Sequence, residues 1–457
     1  MRSRSFAALV IATTAFRLVA GVLDNAWFKG TTDKDPLTYR AGEEIVFKLE
    51  LTGLDGEMAE GEYLLDWKRT DDFGGEESGR IPLSKKPFVY RAKLEKPGFV
   101  RLEAKVLNKD GTRYVKKYVG DTSTPKGRKA MEAFAKKPHY LFFDGGAGVD
   151  VAKIPPVDEP PDFDDFWARQ YARLDKVPIK ADRIEVPTRN KSIRLYAVRV
   201  DCAGLRPVTG YLMVPKDVEK GKKFPCRLET HGYSKNLTQE RPGRIHEGEI
   251  VFNINAHGLK LQEFGATEAD TKALKWDAWS NGRAYAFDPE QNKDPEVAYF
   301  NGMVLRVKRA LQYLKTLDGW NGKDLIASGG SQGGLQTIWA GGCGEGVTCV
   351  ESSVTWCCDL KMNDVRLAGK AAGSGWYVPW VDGLGYYDAV NFAKRIPVSC
   401  RTVIPRAGLG DYVCPPRGLA KLWNAIPGDN KKIVWVQGSQ HLDVPPEYEG
   451  RDFPKTK

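Results

Sequence analysis

Residues 44–119 alternate between apolar and polar positions in short runs, and each run is bounded by Gly, Asp or Pro residues. Such alternation is typical of strands that bury one face, and the turn residues are typical of the connections between them. The clearest runs are Ile45–Leu51, Tyr63–Trp67, Phe88–Leu94 and Phe99–Val106. Their spacing predicts an all-β domain over residues 24–142, with the architecture of an immunoglobulin-like sandwich.

The pattern changes after residues 143–161, where a high content of glycine and proline indicates a linker. A helix is expected from about Asp162, and from Ile184 onwards apolar strands alternate with helices. The predicted strands are Ile193–Val200, Thr209–Val214, Phe224–Thr230, Ile250–Asn255, Leu325–Ser328, Val347–Val354, Thr402–Ala407 and Ile433–Val436. Eight strands with helices between the later ones predict an α/β domain over residues 162–457, in the order of an α/β-hydrolase fold.

Residues 357–388 read as a long, loop-rich insertion between the later strands. Its aromatic residues are Trp376, Tyr377, Trp380, Tyr386 and Tyr387. Loops at the carboxyl edge of a sheet commonly carry substrate contacts, so we expect the insertion to contribute to a substrate site.

Residues 1–20 have the layout of a secretory signal peptide. Arg2 and Arg4 precede an apolar stretch from Phe6 to Phe16, and small residues follow up to Ala20. Cleavage near Ala20 would give a secreted or periplasmic protein. No later segment contains the run of about 18 apolar residues that a membrane span requires, so we expect no membrane span.

The formal net charge of +10 does not point to a nucleic-acid partner, because the basic residues are scattered in pairs rather than clustered. The eight Cys are compatible with disulfides in an exported protein, although their spacing does not define a pairing. Neither the Cys nor the five His have the spacing of a metal site. We therefore expect no nucleic-acid partner, no metal and no cofactor.

The sharpest local signal is the segment GGSQGG at residues 329–334, which contains GxSxG between a predicted strand and a predicted helix. At such a turn the serine has a strained backbone conformation that small flanking residues permit, and its hydroxyl group is presented above the sheet. We therefore predict that Ser331 is a nucleophile. The alternative interpretation is a glycine-rich turn without a function.

A serine hydroxyl is a poor nucleophile until a base removes its proton, and in this fold the histidine base comes last in the chain. His441 is the only histidine after Ser331, and it directly follows the predicted strand Ile433–Val436. The sequence therefore predicts His441 as the base.

The base needs a carboxylate that fixes its tautomer and stabilises its protonated form. Asp411 is favoured because it closes the segment GLGD at 408–411, at the end of the predicted strand Thr402–Ala407. Asp359, after the preceding strand, is the runner-up. The remaining acidic candidates are Asp364, Asp382, Asp388, Asp429, Glu345 and Glu351.

Acyl transfer develops a negative oxygen, which needs two preorganised N–H donors. The backbone N–H of Gln332, at the start of the helix after the nucleophile, is one candidate. The other is expected after the third strand, where His231 and Gly232 lead to Tyr233, so we predict the N–H of Tyr233. His231 itself is interpreted as a structural residue at the strand end.

Four segments together are more specific than GxSxG alone: DFDDFW at 162–167, HGY at 231–233, GGSQGG at 329–334 and GLGDYVCPP at 408–416. From roughly residue 160 to its end, the chain resembles the acetyl xylan esterase and cephalosporin C deacetylase family. The resemblance implies an α/β-hydrolase that removes acetyl groups from sugars. It further implies a triad of Ser331, Asp411 and His441, with oxyanion donors at Tyr233 and Gln332.

The chain departs from the family pattern at two places. His257-Gly258-Leu259 stands where the family usually has Arg-Gly-Gln, and His441-Leu442 stands where it has His-Glu. Family members form ring-like hexamers, but the added N-terminal sandwich would have to be accommodated six times in such a ring. We therefore expect a monomer or a dimer.

The leading hypothesis is a secreted serine esterase that deacetylates a carbohydrate of the xylan type through an acetyl-enzyme. A serine peptidase of the prolyl-oligopeptidase type shares the elbow, but the N-terminal domain is too small for the propeller of such enzymes. A non-catalytic carbohydrate-binding protein on a hydrolase scaffold has no need for an intact Ser, Asp and His. Turnover of an aryl acetate separates these classes.

Overall fold

The computed structural model describes residues 21–233, 248–272, 286–361 and 378–448. The predicted signal peptide, Trp376, Tyr377 and Asp364 lie outside the described residues. No helix in the described part of the chain is long and apolar enough to cross a membrane.

The N-terminal part consists of antiparallel sheets. Its strands are β1 (Trp27–Thr32), β2 (Ile45–Thr52), β3 (Tyr63–Asp71), β4 (Glu76–Pro82), β5 (Phe88–Ala92), β6 (Gly98–Asn108), β7 (Val115–Lys116), β8 (His139–Tyr140) and β9 (Phe142–Val149). A three-stranded sheet has the order β1-β2-β5, a four-stranded sheet has the order β4-β3-β6-β9, and β7 pairs with β8. The two larger sheets share one apolar core, to which Phe47, Leu65 and Leu102 belong. That this pair of sheets is an immunoglobulin-like sandwich stays a prediction.

Strand β9 corrects the sequence-based boundary of this domain. Residues 143–149, which their glycine content assigned to the linker, pair with β6 along its length. Glycine is needed here for close packing rather than for flexibility, because a Cβ atom on Gly146 would lie 2.7 Å from the carbonyl oxygen of Val100. The linker prediction is wrong for this segment, and the sandwich extends to Val149.

The second domain is built on a nine-stranded mixed sheet. Its strands are β10 (Ala181–Val186), β11 (Ile193–Val200), β12 (Val208–Pro215), β13 (Phe224–Thr230), β14 (Ile250–Ile254), β15 (Trp320–Gly330), β16 (Cys349–Ser353), β17 (Arg401–Gly408) and β18 (Lys431–Val436). The order is β10-β11-β12-β14-β13-β15-β16-β17-β18, antiparallel up to β14 and parallel beyond it. The predicted α/β-hydrolase type of sheet is confirmed. Strand β10 was not predicted, since it is an edge strand whose side chains are mostly exposed and lack the apolar pattern.

Helices connect the later strands. Those in the described residues are α1 (Pro125–Phe134), α2 (Phe163–Asp175), α3 (Glu268–Lys272), α4 (Pro289–Asn292), α5 (Tyr299–Lys315), α6 (Gln332–Gly342), α7 (Ala389–Ala393) and α8 (Pro416–Ala425). The largest core contains residues of α2, α5 and α6 packed with the central strands. Helix α6 begins directly after β15, so the connection between them is a single sharp turn.

The insertion at residues 357–388 packs partly into the hydrolase domain where it is described. The side chain of Tyr387 is fully buried, and its hydroxyl group donates to the carbonyl oxygen of Pro295. Tyr386 packs against Phe166 of α2 and donates its hydroxyl group to Asp162. These two aromatic residues fasten helix α2 to the domain, and the expectation that the insertion contributes to a substrate site stays a prediction.

Candidate active site

Ser331 occupies the turn between β15 and α6 in a strained conformation. Its backbone has φ 58° and ψ −121°. A positive φ is unfavourable for a residue that carries a side chain, so this conformation is strained. A Cβ atom on Gly333 would lie 2.6 Å from the carbonyl oxygen of Thr230, and one on Gly329 would overlap the Thr230 side chain. The flanking glycines therefore allow β13 and α6 to approach closely enough to form the elbow.

His441 lies in the loop after β18 and reaches Ser331, the predicted nucleophile. Its Nε2 atom is 3.0 Å from Oγ of Ser331, within hydrogen-bond distance for transfer of the serine proton. The imidazole is only partly exposed, with 17% of its side-chain surface accessible. Part of the imidazole surface is therefore accessible to solvent.

Asp411 lies on the other side of the imidazole. Its Oδ2 atom is 2.9 Å from Nδ1 of His441, and its Oδ1 atom accepts the backbone N–H groups of Val413 (3.0 Å) and Cys414 (2.9 Å). The carboxylate is fully buried, so its position is fixed by its own loop. An ionised Asp411 keeps the proton of His441 on Nδ1 and leaves Nε2 free to accept the serine proton.

Asp359, the runner-up for the acid, makes different contacts. It forms an ion pair with Lys421 at 2.7 Å and lies 3.7 Å from Nε of Arg417. Burial raises its pKa, and the two cations oppose that rise. Of the two candidates, the structure brings Asp411 and not Asp359 to His441.

The remaining described acidic candidates have other contacts where they are buried. Asp388 accepts the backbone N–H groups of Asp359, Leu360 and Val390, and burial raises its pKa to about 6. Glu345 pairs with Lys308, and Glu351 pairs with Arg227.

The two predicted oxyanion donors flank the serine in the chain and in the sheet. Gln332 is the first residue of α6, whose opening N–H groups have no acceptor inside the helix and favour a negative charge. Strand β13 pairs with β15 so that Thr230 lies beside Gly329, which brings the following loop with Tyr233 next to the elbow. The Tyr233 ring packs edge-on against Trp356 at 5.6 Å.

Trp356 is a neighbour of Ser331 that the sequence did not single out. Its backbone N–H donates to the carbonyl oxygen of Ser331 at 3.2 Å, and its ring is buried between Phe287 and Tyr233. The position directly after β16 was the only available signal.

His231 is buried near the elbow but makes structural contacts. Its Nε2 atom accepts the N–H of Ala256 at 3.1 Å, so its proton is on Nδ1, which lies 2.7 Å from the carbonyl oxygen of Gly232. Both ring nitrogens are engaged by backbone groups. This geometry agrees with a structural interpretation of His231.

A second residue that the sequence missed holds the backbone of the histidine loop. Arg406, at the end of β17, donates from Nη2 to the carbonyl oxygen of His441 at 2.7 Å. The N–H of Gly410 donates to the carbonyl oxygen of Ser439 at 3.0 Å, which ties the loops of Asp411 and His441 together. A lone arginine within an apolar strand was the only hint in the sequence.

All eight cysteines are described, and each is unpaired. Cys414 has its sulfur within 4.8 Å of the ligand atoms of Asp411 and His441, the one group of this kind among the described residues. Burial raises the pKa of Cys414 well above its usual range, so the thiol stays protonated and is a poor metal ligand. The group is better explained as the surroundings of the Asp411–His441 hydrogen bond.

The segment that departs from the family pattern is part of the core. His257 is fully buried, and its Nδ1 atom lies 3.1 Å from the Tyr299 hydroxyl group. Leu259 is buried, and its carbonyl oxygen accepts the hydroxyl group of Thr209. His257 and Leu259 are thus part of the buried interior, and Ser331, His441 and Asp411 are in contact in the same structure.

Comparison with known proteins identifies relatives for the C-terminal two thirds of the chain. Residues 154–371 match the family model described as acetyl xylan esterase (AXE1). The acetyl esterase Axe7A of Xylanibacter ruminicola is 28% identical over 345 residues, which is 69% of this chain and 74% of that protein.

Two solved structures share the fold of this region. The acetyl xylan esterase of Paenibacillus sp. R4 superposes with a TM-score of 0.50 and 20% identity, over 65% of this chain and 95% of that one. Acetyl xylan esterase 1 of Thermoanaerobacterium sp. JW/SL YS485 gives a TM-score of 0.51 with 19% identity, over 65% of this chain and 94% of that one. At these identities, the structural likeness establishes the fold alone.

Proposed function

We propose that the protein is a secreted serine esterase that deacetylates carbohydrates, because residues 154–371 match the acetyl xylan esterase family model and the chain is similar to the acetyl esterase Axe7A. The substrate class is an acetylated polysaccharide or oligosaccharide of the xylan type. The observation that carries the proposal is the continuous hydrogen-bonded line from Ser331 Oγ through His441 to Asp411, with distances of 3.0 and 2.9 Å.

The first half-reaction forms an acetyl-enzyme. Nε2 of His441 takes the proton of Ser331 while Oγ attacks the acetyl carbonyl carbon, and the resulting oxyanion accepts the N–H groups of Gln332 and Tyr233. The intermediate then expels the sugar oxygen, which receives the proton from His441. Throughout, the buried carboxylate of Asp411 stabilises the protonated imidazole.

The second half-reaction releases acetate. Water attacks the acetyl-enzyme with His441 as general base, and the second tetrahedral intermediate collapses to acetate and free Ser331. None of these steps calls for a metal or a cofactor.

A short acyl group is supported by the surroundings of the nucleophile. Trp356 and Phe287 are buried, and their rings pack with Tyr233 directly beside the elbow. Buried aromatic rings beside the elbow favour an acetyl group over longer acyl groups, because a longer acyl group would have to displace the rings.

Acetate release from acetylated xylan, acetylated pectin and small acetylated sugars tests the proposal. We expect release from at least one of these substrates, and we expect aryl acetate to be hydrolysed faster than aryl butyrate at equal concentration. Full activity of a folded Ser331→Ala variant would exclude the serine mechanism. A rate that rises steadily from acetate to octanoate would replace the deacetylase by a general esterase.

We also propose that the N-terminal domain is an immunoglobulin-like sandwich, that the protein is exported after cleavage near Ala20, and that it is a monomer or dimer. The division of its strands into sheets of three and four supports the first point. The mass of the exported protein measures the cleavage site. Light scattering on a size-exclusion column measures assembly, and a mass near six chains would overturn the last point.

A further inference from the structure

The N-terminal sandwich contacts the two loops that carry Asp411 and His441. We name residues 408–414 the acid loop and residues 437–444 the histidine loop. The rings of Phe99 in β6 and Trp435 in β18 pack in a tilted arrangement with their centres 5.8 Å apart, and Phe99 shares an apolar cluster with Leu409 of the acid loop. The contact between the sandwich and these loops therefore includes apolar packing.

A buried ion pair of the sandwich lies at the centre of this contact. Arg101 donates from Nε and Nη2 to the two carboxylate oxygens of Asp144, at 2.8 and 2.6 Å. Burial raises the pKa of Asp144 to about 6, and Arg101 opposes this rise. Because the pKa stays below 7, the carboxylate is ionised at neutral pH. Because buried ion pairs contribute little net stability, a gain in stability alone does not explain why this pair lies at the contact.

Each member of the pair reaches across to a neighbour of a proposed triad residue. The Asp144 carboxylate accepts a hydrogen bond of 2.7 Å from the side-chain amide of Gln440, which directly precedes His441. The Arg101 guanidinium lies 4.0 Å from the ring centre of Tyr412, which directly follows Asp411.

The edge strand β9 adds main-chain contacts. The side-chain amide of Gln437 exchanges two hydrogen bonds with the backbone of Gly146, at 2.9 and 2.8 Å. A Cβ atom on Gly410 would overlap the carbonyl oxygen of Asp144, so the acid loop lies directly against the sandwich backbone. Both loops are thus held from outside the hydrolase domain.

We propose that Arg101, Asp144 and Gln440 are positioning residues through which the N-terminal sandwich holds His441 in line with Ser331 and Asp411. The inference rests on the proposed serine mechanism. It assigns to the sandwich a part in catalysis at the acid and base, rather than a separate binding role. The small displacements that it prevents matter because misplacement of a catalytic group by about 1 Å lowers rates by about 100-fold.

The test uses the full chain and an activated aryl acetate. Gln440→Leu removes the amide at nearly constant size, Gln440→Glu places a carboxylate against Asp144, and Asp144→Asn weakens the same contact from the sandwich. We expect kcat per active site to fall about 10- to 100-fold in these variants, with Gln440→Glu the most affected. Active sites counted by an acyl-enzyme burst should stay near one per folded chain, whereas a merely structural defect would reduce their number and leave kcat per site unchanged.

A second background separates positioning from other effects. In a His441→Ala protein, adding Gln440→Leu should leave the residual rate unchanged, because a residue that acts through His441 has nothing left to position. Asn424→Ala is the matched control, since Asn424 of α8 also donates one hydrogen bond towards the N-terminal side, at 3.0 Å to the carbonyl oxygen of Val151. It should keep full kcat.

The outcomes are distinguishable from those of the proposed function. If Ser331→Ala is inactive but the Gln440 and Asp144 variants keep wild-type kcat per site, the positioning inference is wrong and the mechanism stands. An equal loss in the Asn424→Ala control, or a further loss in the His441→Ala background, overturns it as well. If Ser331→Ala is fully active, the mechanism itself is wrong. Should Asp144→Asn fail to fold, the two Gln440 variants still decide the question.

Discussion

The two sides of the proposed active site are supported in different ways. The elbow of Ser331 is held by contacts inside the hydrolase domain, with Gly333 packed against Thr230 of the neighbouring strand. The loops of Asp411 and His441 instead contact the N-terminal sandwich, through pairs such as Asp144 and Gln440 that are 296 positions apart. The predicted nucleophile is therefore supported within its own domain, while the loops of the predicted acid and base also contact the other domain.

Ser331→Ala gives the largest expected effect and acts on the nucleophile side alone. The hydroxyl group is small, so the fold and the sandwich contacts should persist, while hydrolysis of aryl acetate and release of sugar acetate fall by about four to six orders of magnitude. Initial rates and circular dichroism of the purified variant measure both quantities. Substantial turnover in a folded variant would contradict the assignment.

Asp411→Asn tests the other side at its most buried point. The substitution keeps the size of the side chain but permits the wrong histidine tautomer, so we expect kcat to fall about 10³- to 10⁴-fold. Asp359→Asn is the matched control. It should retain kcat, but it should lose about 3 kcal/mol of stability, because buried Lys421 loses its ionised partner. The reverse ranking of the two kcat values would make Asp359 the acid.

The same contrast explains what the sequence could predict. The elbow and the GLGD segment are local signals, and each lies at the end of a strand that its apolar run predicts. The contact of Asp144 with Gln440 has no local signal, and the glycines that permit it made residues 143–149 resemble a linker. Strand β10 was missed for a related reason, since an exposed edge strand carries no apolar pattern.

A pair of glycine substitutions compares the two supports directly. Gly333→Ala forces a Cβ atom towards the Thr230 backbone, and Gly410→Ala forces one into the Asp144 backbone of the sandwich. Overpacking of this kind costs about 1–3 kcal/mol in either place. Thermal unfolding should show a loss of stability for both variants. Gly410→Ala should in addition lower kcat per active site, because it moves the acid loop away from the sandwich.

Comparable stability losses with an unchanged kcat in Gly410→Ala would show that the acid loop tolerates displacement. The Ser331 elbow and the loops of Asp411 and His441 would then differ in their contacts, but neither set of contacts would affect kcat. An acyl-enzyme burst on both variants provides the count of active sites that this comparison requires.

His231→Asn has the smallest expected effect on catalysis and completes the comparison. His231 lies on the nucleophile side, and its ring nitrogens contact the backbone of Ala256 and Gly232. Asparagine does not reach both groups, so the buried N–H of Ala256 loses its acceptor and the free energy of unfolding falls by about 1–3 kcal/mol. Because Nε2 of His441 remains the group at 3.0 Å from Ser331, kcat per active site should stay close to that of the wild type. Denaturant unfolding and a pH profile of kcat/KM measure the two effects, and a profile that loses its acidic limb in His231→Asn would assign His231 a proton-transfer role.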